Sequence, residues 1–425
     1  MARRKRQAME ARFISQFKPA IVGLTAAAMA AMLAFAAPPA AARRARRAQE
    51  AAAPSAVPLE QIHVFGDRPA PFGLDAKAAI MIDARSGATL YAYNEHVKIQ
   101  PASLAKLMTF YLVLKALHQG RLSTDTMVTV SENAWRLSMN STVSRMFLQV
   151  GQKVSVNDLL YGLMVSSGND AAVALAEYLG GSTDAFSEQM NEQAKELGLD
   201  ETHFSNPDGL PVPEMYTTAS DMVKLGRAIV RRFPDAVTYT SAKDFTFDKI
   251  HQPNFNALLF YDARVNGLKT GHVEEAGYHL VASAHANGMD LISAVLGTPS
   301  ATARRVETEK LVDWAFRTFS SVQPDWHKTL PSEVRVYEGA VDTVAVAPAE
   351  VPSVTVEHGQ EGKVTLAGSF SPKYPVAPIA KGQQLGTLVL MVDGKPQSTI
   401  PMLAVAPVGR GGLLKRWIDR LRLRL

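Results

Sequence analysis

Ser103 and Lys106 have the residue types and the spacing of a serine nucleophile with a lysine base. They open a long apolar run that stops at Gly120, and this pattern predicts a buried helix with a glycine C-cap. Residues three apart share a helix face, so the hydroxyl and the amine can meet at its N-terminal end. There a neutral lysine can activate the serine, and backbone N–H groups attract developing negative charge. Because serine and lysine are common, the pair needs support from the rest of the chain.

Two further motifs carry polar side chains at the ends of predicted elements. Ser167 and Asn169 lie in a break between two apolar helices, where a rigid scaffold would present a hydroxyl and an amide. Such a pair can pass a proton and hold a substrate carbonyl. Lys269, Thr270 and Gly271 end a predicted strand. A cation and a hydroxyl at a strand edge suit a carboxylate, and the glycine lets a ligand approach the backbone.

The elements that must position these residues change from sheet to helix and back to sheet. A hairpin is predicted within 79–91, helices fill the middle of the chain, and strands return within 264–297 before a helix at 303–319. Strands at both ends with helices between them favour an α+β fold in which the two ends share one sheet. Short alternating runs separated by Gly, Pro and Asp-Gly then predict a small all-β domain at 327–405, with the role of a spacer or docking module.

Positive charge is concentrated at the two ends of the chain. The 425 residues carry a net charge of +5, of which residues 1–56 contribute +8 and residues 410–425 contribute +5, so the part between them carries −8. This distribution argues against a nucleic-acid partner and for basic ends that meet anionic lipid. Cysteine is absent, so the chain has neither a disulfide framework nor thiol chemistry.

The N-terminal segment has the layout of a secretory signal peptide. A basic start is followed by an apolar run at 20–37 and a small-residue exit, which predicts a cleaved signal peptide at 1–42. An uncleaved anchor is the alternative, because eighteen apolar residues nearly span a bilayer. Residues 43–73 are rich in Ala, Pro and Arg without an apolar period, and this composition predicts a disordered linker.

The C-terminal residues 411–425 predict an amphipathic helix. Apolar residues recur at 414, 417, 418, 421 and 425, and basic residues fill most other positions. Such a helix of about 20 Å is too short to cross a bilayer. A basic helix with tryptophan on its apolar face is typical of a membrane-surface helix. Docking of the helix on its own protein is the alternative.

Taken in the order Ser103, Ser167 and Lys269, the three motifs resemble those of the penicillin-binding serine acyltransferases. The chain is most similar to the low-molecular-mass D-alanyl-D-alanine carboxypeptidases. The stretches that carry this resemblance are 99–109, 167–171, 265–272, 276–278 and 280–284. The resemblance implies a β-lactamase/transpeptidase-like catalytic domain at 74–322, followed by the all-β domain and the amphipathic helix. It also implies export to the periplasmic face of the inner membrane, where the protein would be peripheral.

For the site, the resemblance implies that Ser103 is the nucleophile, that Lys106 is its base and that Ser167 relays a proton. Lys106 would have to be neutral, and burial together with the charge of Lys269 would lower its pKa. The residues implied in substrate binding are Asn169, Lys269, Thr270, Gly271, His272 and Arg304. Of these, Asn169 would orient the peptide, Lys269, Thr270 and Arg304 would hold its terminal carboxylate, and the His272 N–H would join that of Ser103 in an oxyanion hole. The pattern departs from relatives at Val273, where a threonine is frequent.

The implied substrate is a peptidoglycan stem peptide ending in D-Ala-D-Ala, and the implied inhibitors are β-lactam antibiotics. No cofactor is expected and no metal either, because an HExxH motif is absent and His272 and His279 do not make a ligand set. The alternatives left open are a DD-endopeptidase, a β-lactamase with a glutamate-held water, and an inactive scaffold that binds the cell wall.

Overall fold

The computed structural model describes residues 59–424. The strands are β1 (His63–Val64), β2 (Ala78–Asp83), β3 (Thr89–Tyr93), β4 (Met127–Thr129), β5 (Lys153–Ser155), β6 (Asp244–Phe247), β7 (Ile250–Pro253), β8 (Val265–Val273), β9 (Gly277–Ala286), β10 (Met289–Thr298), β11 (Phe319–Val322), β12 (Glu333–Arg335), β13 (Thr343–Pro348), β14 (Val354–Glu357), β15 (Val364–Phe370), β16 (Gln384–Val392) and β17 (Lys395–Ala404). The α-helices are α1 (Lys106–His118), α2 (Glu132–Met139), α3 (Val156–Met164), α4 (Asn169–Gly180), α5 (Thr183–Glu196), α6 (Ala219–Arg232), α7 (Val237–Thr240), α8 (Leu258–Tyr261), α9 (Ala301–Thr318) and α10 (Leu413–Arg424). Short 3₁₀ turns lie at Leu59–Gln61, Ala102–Ala105, Pro234–Ala236, Trp326–Lys328 and Glu361–Lys363.

The first sheet joins the two ends of the first domain, as the α+β prediction requires. Its strand order is β1-β3-β2-β10-β9-β8, and the early strand β2 pairs antiparallel with the late strand β10, with Ile82 opposite Ile292. Helix α6 packs on one face of this sheet and α9 packs on the other. Every residue of β2 is buried, because helices cover both faces of the sheet centre.

Helix α1 runs through the middle of the helical core. Nine of its 13 residues are buried, and they lie on all sides of the helix rather than along one stripe. The apolar run therefore forms a central helix, as its sequence predicts. The first turn of the predicted helix is instead a separate 3₁₀ turn, Ala102–Ala105, which carries Ser103 half-exposed at the N-terminal end of α1.

Strand β8 lies at one edge of the sheet and pairs only with β9. Its other edge faces the turn that carries Ser103, and this approach depends on a glycine. A Cβ added to Gly271 would lie 3.0 Å from the carbonyl oxygen of Pro101. A side chain at this position would therefore force the strand and the turn apart.

The second domain contains a five-stranded sheet of order β12-β13-β17-β16-β15. It is joined to the first domain through β11, which pairs antiparallel with β14. At this junction the Thr355 hydroxyl donates to Asp83 Oδ2 at 2.7 Å. Helix α10 contacts the all-β domain through its polar side, since Asp419 Oδ2 accepts from the Glu338 N–H at 2.8 Å and Arg420 Nε donates to Glu338 Oε1 at 2.8 Å.

The predicted linker at 43–73 is wrong for its C-terminal part. Within the described residues 59–73, strand β1 pairs with β3, and Ile62 and Val64 are buried. A two-residue strand is too short to show an apolar period, so the Ala-, Pro- and Arg-rich composition around it predicted a linker instead. The predicted signal peptide at 1–42 and the rest of the linker lie outside the described residues. Within 59–424, no helix combines the length and the apolar character needed to cross a bilayer.

Candidate active site

The serine and the lysine that open the predicted helix are in direct contact. Lys106 Nζ donates to Ser103 Oγ at 3.0 Å. The lysine side chain is completely buried, whereas Ser103 is half-exposed and lines a cleft. The hydroxyl can thus be reached from the cleft while its amine partner is shielded from water.

Two further acceptors hold the Lys106 amine in place. It donates to Asn169 Oδ1 at 2.5 Å and to the backbone carbonyl of Asp208. Burial lowers the pKa of Lys106 to about 8, although the carboxylates of Asp208 and Asp170 act in the opposite direction. A buried amine with such a pKa is neutral in a large share of molecules near pH 8, as a general base must be.

A second lysine and serine form a matching pair across the cleft. Lys269 Nζ donates to Ser167 Oγ at 2.9 Å, and both side chains are buried. Ser167 has a φ of 55°, a left-handed conformation that is strained for a residue other than glycine and is held here between α3 and α4. Burial, followed by the charges of Lys106 and Arg304, lowers the pKa of Lys269 well below its usual value.

The residues predicted for substrate binding lie along the same cleft, whose volume is about 600 Å³. Arg304 is mostly buried at its wall and donates to the Phe255 carbonyl at 3.1 Å, and burial lowers its pKa to about 10. His272 is exposed and stacks on Tyr278 with 3.9 Å between ring centres. With a pKa of about 10 the Arg304 guanidinium is still charged at neutral pH, and it therefore suits an anionic group of a ligand.

The cleft brings together all nine residues that the sequence analysis selected. Lys106 and Lys269 lie beneath its surface, 0% and 2% exposed, and each contacts a serine that lines it. The other seven line the cleft directly: Ser103, Ser167, Asn169, Thr270, Gly271, His272 and Arg304. This arrangement places two serine hydroxyls, two buried amines and a guanidinium around one space. Among residues 59–424, no group of three or more His, Cys, Asp or Glu is arranged to hold a metal ion.

No role was predicted from the sequence for Asp208 or Asp170. Asp208 lies in a turn, and its backbone carbonyl accepts a hydrogen bond from Lys106 Nζ. The two residues are 102 positions apart, so no local pattern predicts this contact. The buried Asp170 carboxylate accepts from the N–H groups of Met146 and Leu148 and from the Ser138 hydroxyl. It therefore fastens the segment before Leu148 that forms one wall of the cleft. The one sequence feature that could have pointed to Asp170 is its position directly after Asn169.

We expect Gly209→Ala to impair the site through a backbone clash. Gly209 has a φ of +85°, and its added Cβ would lie 1.8 Å from the Ala102 carbonyl oxygen, next to Ser103. The turn carrying Ser103 must then move, and a displacement of about 1 Å is expected to lower kcat/KM by about 10²-fold. The measurement is steady-state hydrolysis of an acyl-D-Ala-D-Ala peptide, together with thermal unfolding.

Gly120→Ala is the matched control for this variant. Gly120 also has a positive φ, +66°, but its Cβ would meet nothing within 4 Å. It should lose about 1–2 kcal/mol of stability from backbone strain and keep its activity. Equal activity losses in the two variants would contradict the proposed clash.

Comparisons with known proteins identify relatives of both domains. Residues 66–300 match the family described as D-alanyl-D-alanine carboxypeptidase, and residues 319–410 match the C-terminal domain of penicillin-binding protein 5. The D-alanyl-D-alanine carboxypeptidase DacA of Haemophilus influenzae is 39% identical over 356 residues, which cover 83% of this chain and 90% of that protein. DacC of Escherichia coli is 40% identical over 349 residues, covering 81% of this chain and 87% of that protein.

Solved structures show the same similarity. Penicillin binding protein 5 from Haemophilus influenzae superposes with a TM-score of 0.69 at 40% identity, covering 80% of this chain and 99% of that one. Penicillin-Binding Protein D2 from Listeria monocytogenes, in its ampicillin bound form, gives a TM-score of 0.52 at 33% identity and covers 57% of this chain and 98% of that one. The family match spans more than half of this chain and the relatives are covered over most of their length, so the chain belongs to the D-alanyl-D-alanine carboxypeptidase family.

Proposed function

We propose that this protein is a serine-type D-alanyl-D-alanine carboxypeptidase that removes the terminal D-alanine from peptidoglycan stem peptides. The observation that carries the proposal is the buried Lys106 amine, 3.0 Å from the reachable hydroxyl of Ser103. A lysine whose pKa is lowered by burial can be the base for a serine nucleophile without a histidine or a metal ion.

In the first step, Ser103 Oγ attacks the carbonyl carbon between the last two D-alanines while Lys106 Nζ takes the hydroxyl proton. The resulting oxyanion would accept from the backbone N–H groups of Ser103 and His272, each contributing about 3 kcal/mol. Ser103 lies in the first helical turn, where N–H groups lack helical partners, and His272 lies on the edge strand β8. The C–N bond then breaks, and the leaving amine takes the proton that Lys106 received, relayed by the Ser167 hydroxyl. D-alanine departs and Lys106 is neutral again.

In the second step, a water molecule attacks the ester carbon on Ser103. Lys106 takes a proton from this water, the bond between the carbonyl carbon and Oγ breaks, and the proton returns to Ser103. The shortened peptide leaves with a new carboxylate, and the enzyme regains its starting state. Lys106 thus acts as the base in both steps, which requires that its amine be neutral before each one.

The terminal carboxylate of the substrate fits the cationic end of the cleft. Thr270 and Arg304 line the cleft there, and Lys269 lies directly beneath it. Asn169, which already accepts from Lys106, also lines the cleft and would orient the peptide. Since β8 is an edge strand with Gly271 close to the turn of Ser103, an extended peptide can lie beside it.

We expect the rate to increase with pH through the pKa of Lys106. Only the neutral amine can take the Ser103 proton, and burial places its pKa at about 8. Below pH 8, kcat/KM should therefore rise about tenfold per pH unit, and it should level off above pH 8. Hydrolysis of an acyl-D-Ala-D-Ala peptide measured from pH 6 to pH 9.5 tests this. A flat profile over this range would argue against Lys106 as the base.

The decisive test of the function combines a peptide assay with a penicillin label. The protein should release D-alanine from diacetyl-L-Lys-D-Ala-D-Ala and not from the peptide ending in L-Ala-L-Ala. A fluorescent penicillin should form a long-lived ester that maps to Ser103. Preferential cleavage of cross-linked dimers would indicate an endopeptidase, and rapid loss of the label would indicate a β-lactamase. If the protein neither cleaves the peptide nor binds the label, it is an inactive scaffold.

We further infer that the protein is exported and held at the periplasmic face of the inner membrane. The signal-peptide layout of residues 1–42 supports export. The polar side of α10 contacts the all-β domain, and its apolar residues stay exposed: Leu414 by 72%, Trp417 by 65% and Leu421 by 51%. An exposed apolar stripe flanked by basic residues fits an anionic lipid surface.

Trp417→Ala should weaken binding to vesicles that contain phosphatidylglycerol by about tenfold, because the large apolar ring no longer enters the lipid. A vesicle sedimentation assay measures this loss. Met139→Ala is the control, since Met139 is similarly exposed, by 66%, but lies on α2 of the first domain. If the two variants bind vesicles alike, α10 is not the membrane contact.

A further inference from the structure

A second cavity lies on the helical side of the first sheet, away from the active-site cleft. Its volume is about 550 Å³, and it shares no lining residue with the cleft. The apolar part of its lining includes Ile80 and Ile82 of β2 and Val223 of α6. Four cations from one side of α6 also line it: Lys224, Arg227, Arg231 and Arg232. A cavity with this lining offers both an apolar surface and concentrated positive charge.

Arg227 and Arg231 are held side by side by the same two carbonyls. Arg227 donates from Nε to Ala84 O at 2.8 Å and from Nη2 to Arg85 O at 3.2 Å. Arg231 Nη1 donates to Arg85 O at 3.0 Å and, more weakly, to Ala84 O at 3.4 Å. A guanidinium carries five N–H donors, so each arginine keeps donors for a ligand. Within residues 59–424, neither has a carboxylate at ion-pair distance.

The lining of this cavity carries more positive than negative charge, although Lys224 pairs with Asp221 Oδ1 at 2.9 Å. Glu196 is the one carboxylate among the lining residues, and it accepts from Lys115 at 3.2 Å and from Gln193 at 2.9 Å. Burial and the charge of Arg231 lower the pKa of Arg227, so the two guanidiniums repel each other, while the carboxylates of Glu350 and Asp83 act in the opposite direction. An anion placed between them would remove this repulsion.

We propose that this cavity binds a phosphate-bearing ligand, with the phosphate on Arg227 and Arg231 and the rest of the ligand on the apolar floor. Phosphate offers three acceptor oxygens and nearly two negative charges, which match two adjacent guanidiniums better than a single carboxylate does. Two sources share this chemistry, a soluble phosphate monoester and the phosphomonoester headgroup of phosphatidic acid. The site is separate from the proposed carboxypeptidase reaction and does not depend on it.

The test is a calorimetric titration of the full-length protein with inorganic phosphate, referenced to sodium chloride of equal ionic strength. Saturable binding is expected, and Arg231→Gln should weaken it at least tenfold. Arg231 is the residue to replace because Arg227 still serves both carbonyls in its absence. Arg231→Lys, which keeps the charge, should recover part of the affinity. Peptide hydrolysis by Arg231→Gln should match that of the wild type and so confirm its folding.

Arg317→Gln is the matched control, because Arg317 is an exposed arginine on α9, outside the cavity. A parallel titration with dihexanoyl phosphatidic acid below its micelle concentration separates the two sources. Binding at least tenfold tighter than that of phosphate assigns the site to a lipid headgroup, and similar binding assigns it to a soluble phosphate ester. The proposal is overturned if phosphate binds no more strongly than chloride, or if Arg231→Gln and Arg317→Gln lose the same affinity for phosphate. It is also overturned if a glutamate-rich peptide binds more tightly than phosphate does.

Discussion

Ser103→Ala should abolish turnover of D-Ala-D-Ala peptides and remove the stable penicillin label. Without Oγ no ester can form, and the remaining groups of the cleft can only bind the peptide. Loss of a nucleophilic serine lowers kcat by about 10⁶-fold in a well-studied serine hydrolase, and a loss of this order is expected here. The measurements are released D-alanine and the mass of the protein after incubation with penicillin.

Peptide binding should survive in this variant, because Thr270 and Arg304 still line the cleft. Ser131→Ala provides the comparison, since the Ser131 hydroxyl caps α2 and accepts from the Ala134 N–H at 3.0 Å. It should lose about 1 kcal/mol of stability and keep its activity and its penicillin label. A penicillin ester on Ser103→Ala would place the nucleophile at another residue.

Lys106→Gln should lower kcat/KM by about 10⁴-fold, the upper end of what a general base contributes. Glutamine is one atom shorter than lysine and can still hydrogen-bond, but it cannot take the Ser103 proton. The residual rate should no longer rise with pH through about 8, because the group that titrates there is gone. Rates measured from pH 6 to pH 9.5 separate this result from a general loss of folded protein.

Lys115→Gln is the control on the same helix. Lys115 lies near the other end of α1 and pairs with Glu196 at the surface, so its loss should change neither the rate nor the pH profile. If Lys106→Gln kept the wild-type pH profile, another group, with Lys269 as the first candidate, would have to be the base.

The two buried lysines need opposite charge states during the proposed reaction. Lys106 must be neutral, while Lys269 should be charged when it meets the substrate carboxylate. Burial lowers the pKa of both lysines, and the charge of Lys106 lowers that of Lys269 further. An incoming carboxylate would raise the pKa of Lys269, because an opposite charge favours the ammonium form. Binding of the substrate would thus favour the charged form of Lys269, while the buried Lys106 stays available as base.

The sequence by itself determined the local elements and the chemistry-bearing residues. The apolar run after Ser103 specified a buried helix, and the break at Ser167 and Asn169 specified a helix junction. The strand before Lys269 was also predicted, but β8 (Val265–Val273) continues through Lys269, Thr270 and Gly271 instead of ending before them. Each follows from spacing over a few residues, so each can be read locally. The α+β order of elements also followed from composition along the chain, and the two-residue strand β1 did not, because it is too short to carry a period.

Tertiary structure alone decided how these local elements meet. The Lys106 amine reaches a carbonyl at Asp208, 102 residues away, and Lys269 reaches the hydroxyl of Ser167 over the same separation. No local pattern encodes such contacts, because they depend on how the helical core packs against the sheet. The same packing removes water from both amines and so shifts their pKa values. Residue types thus fix which groups are present, whereas burial in the assembled fold fixes their protonation and reactivity.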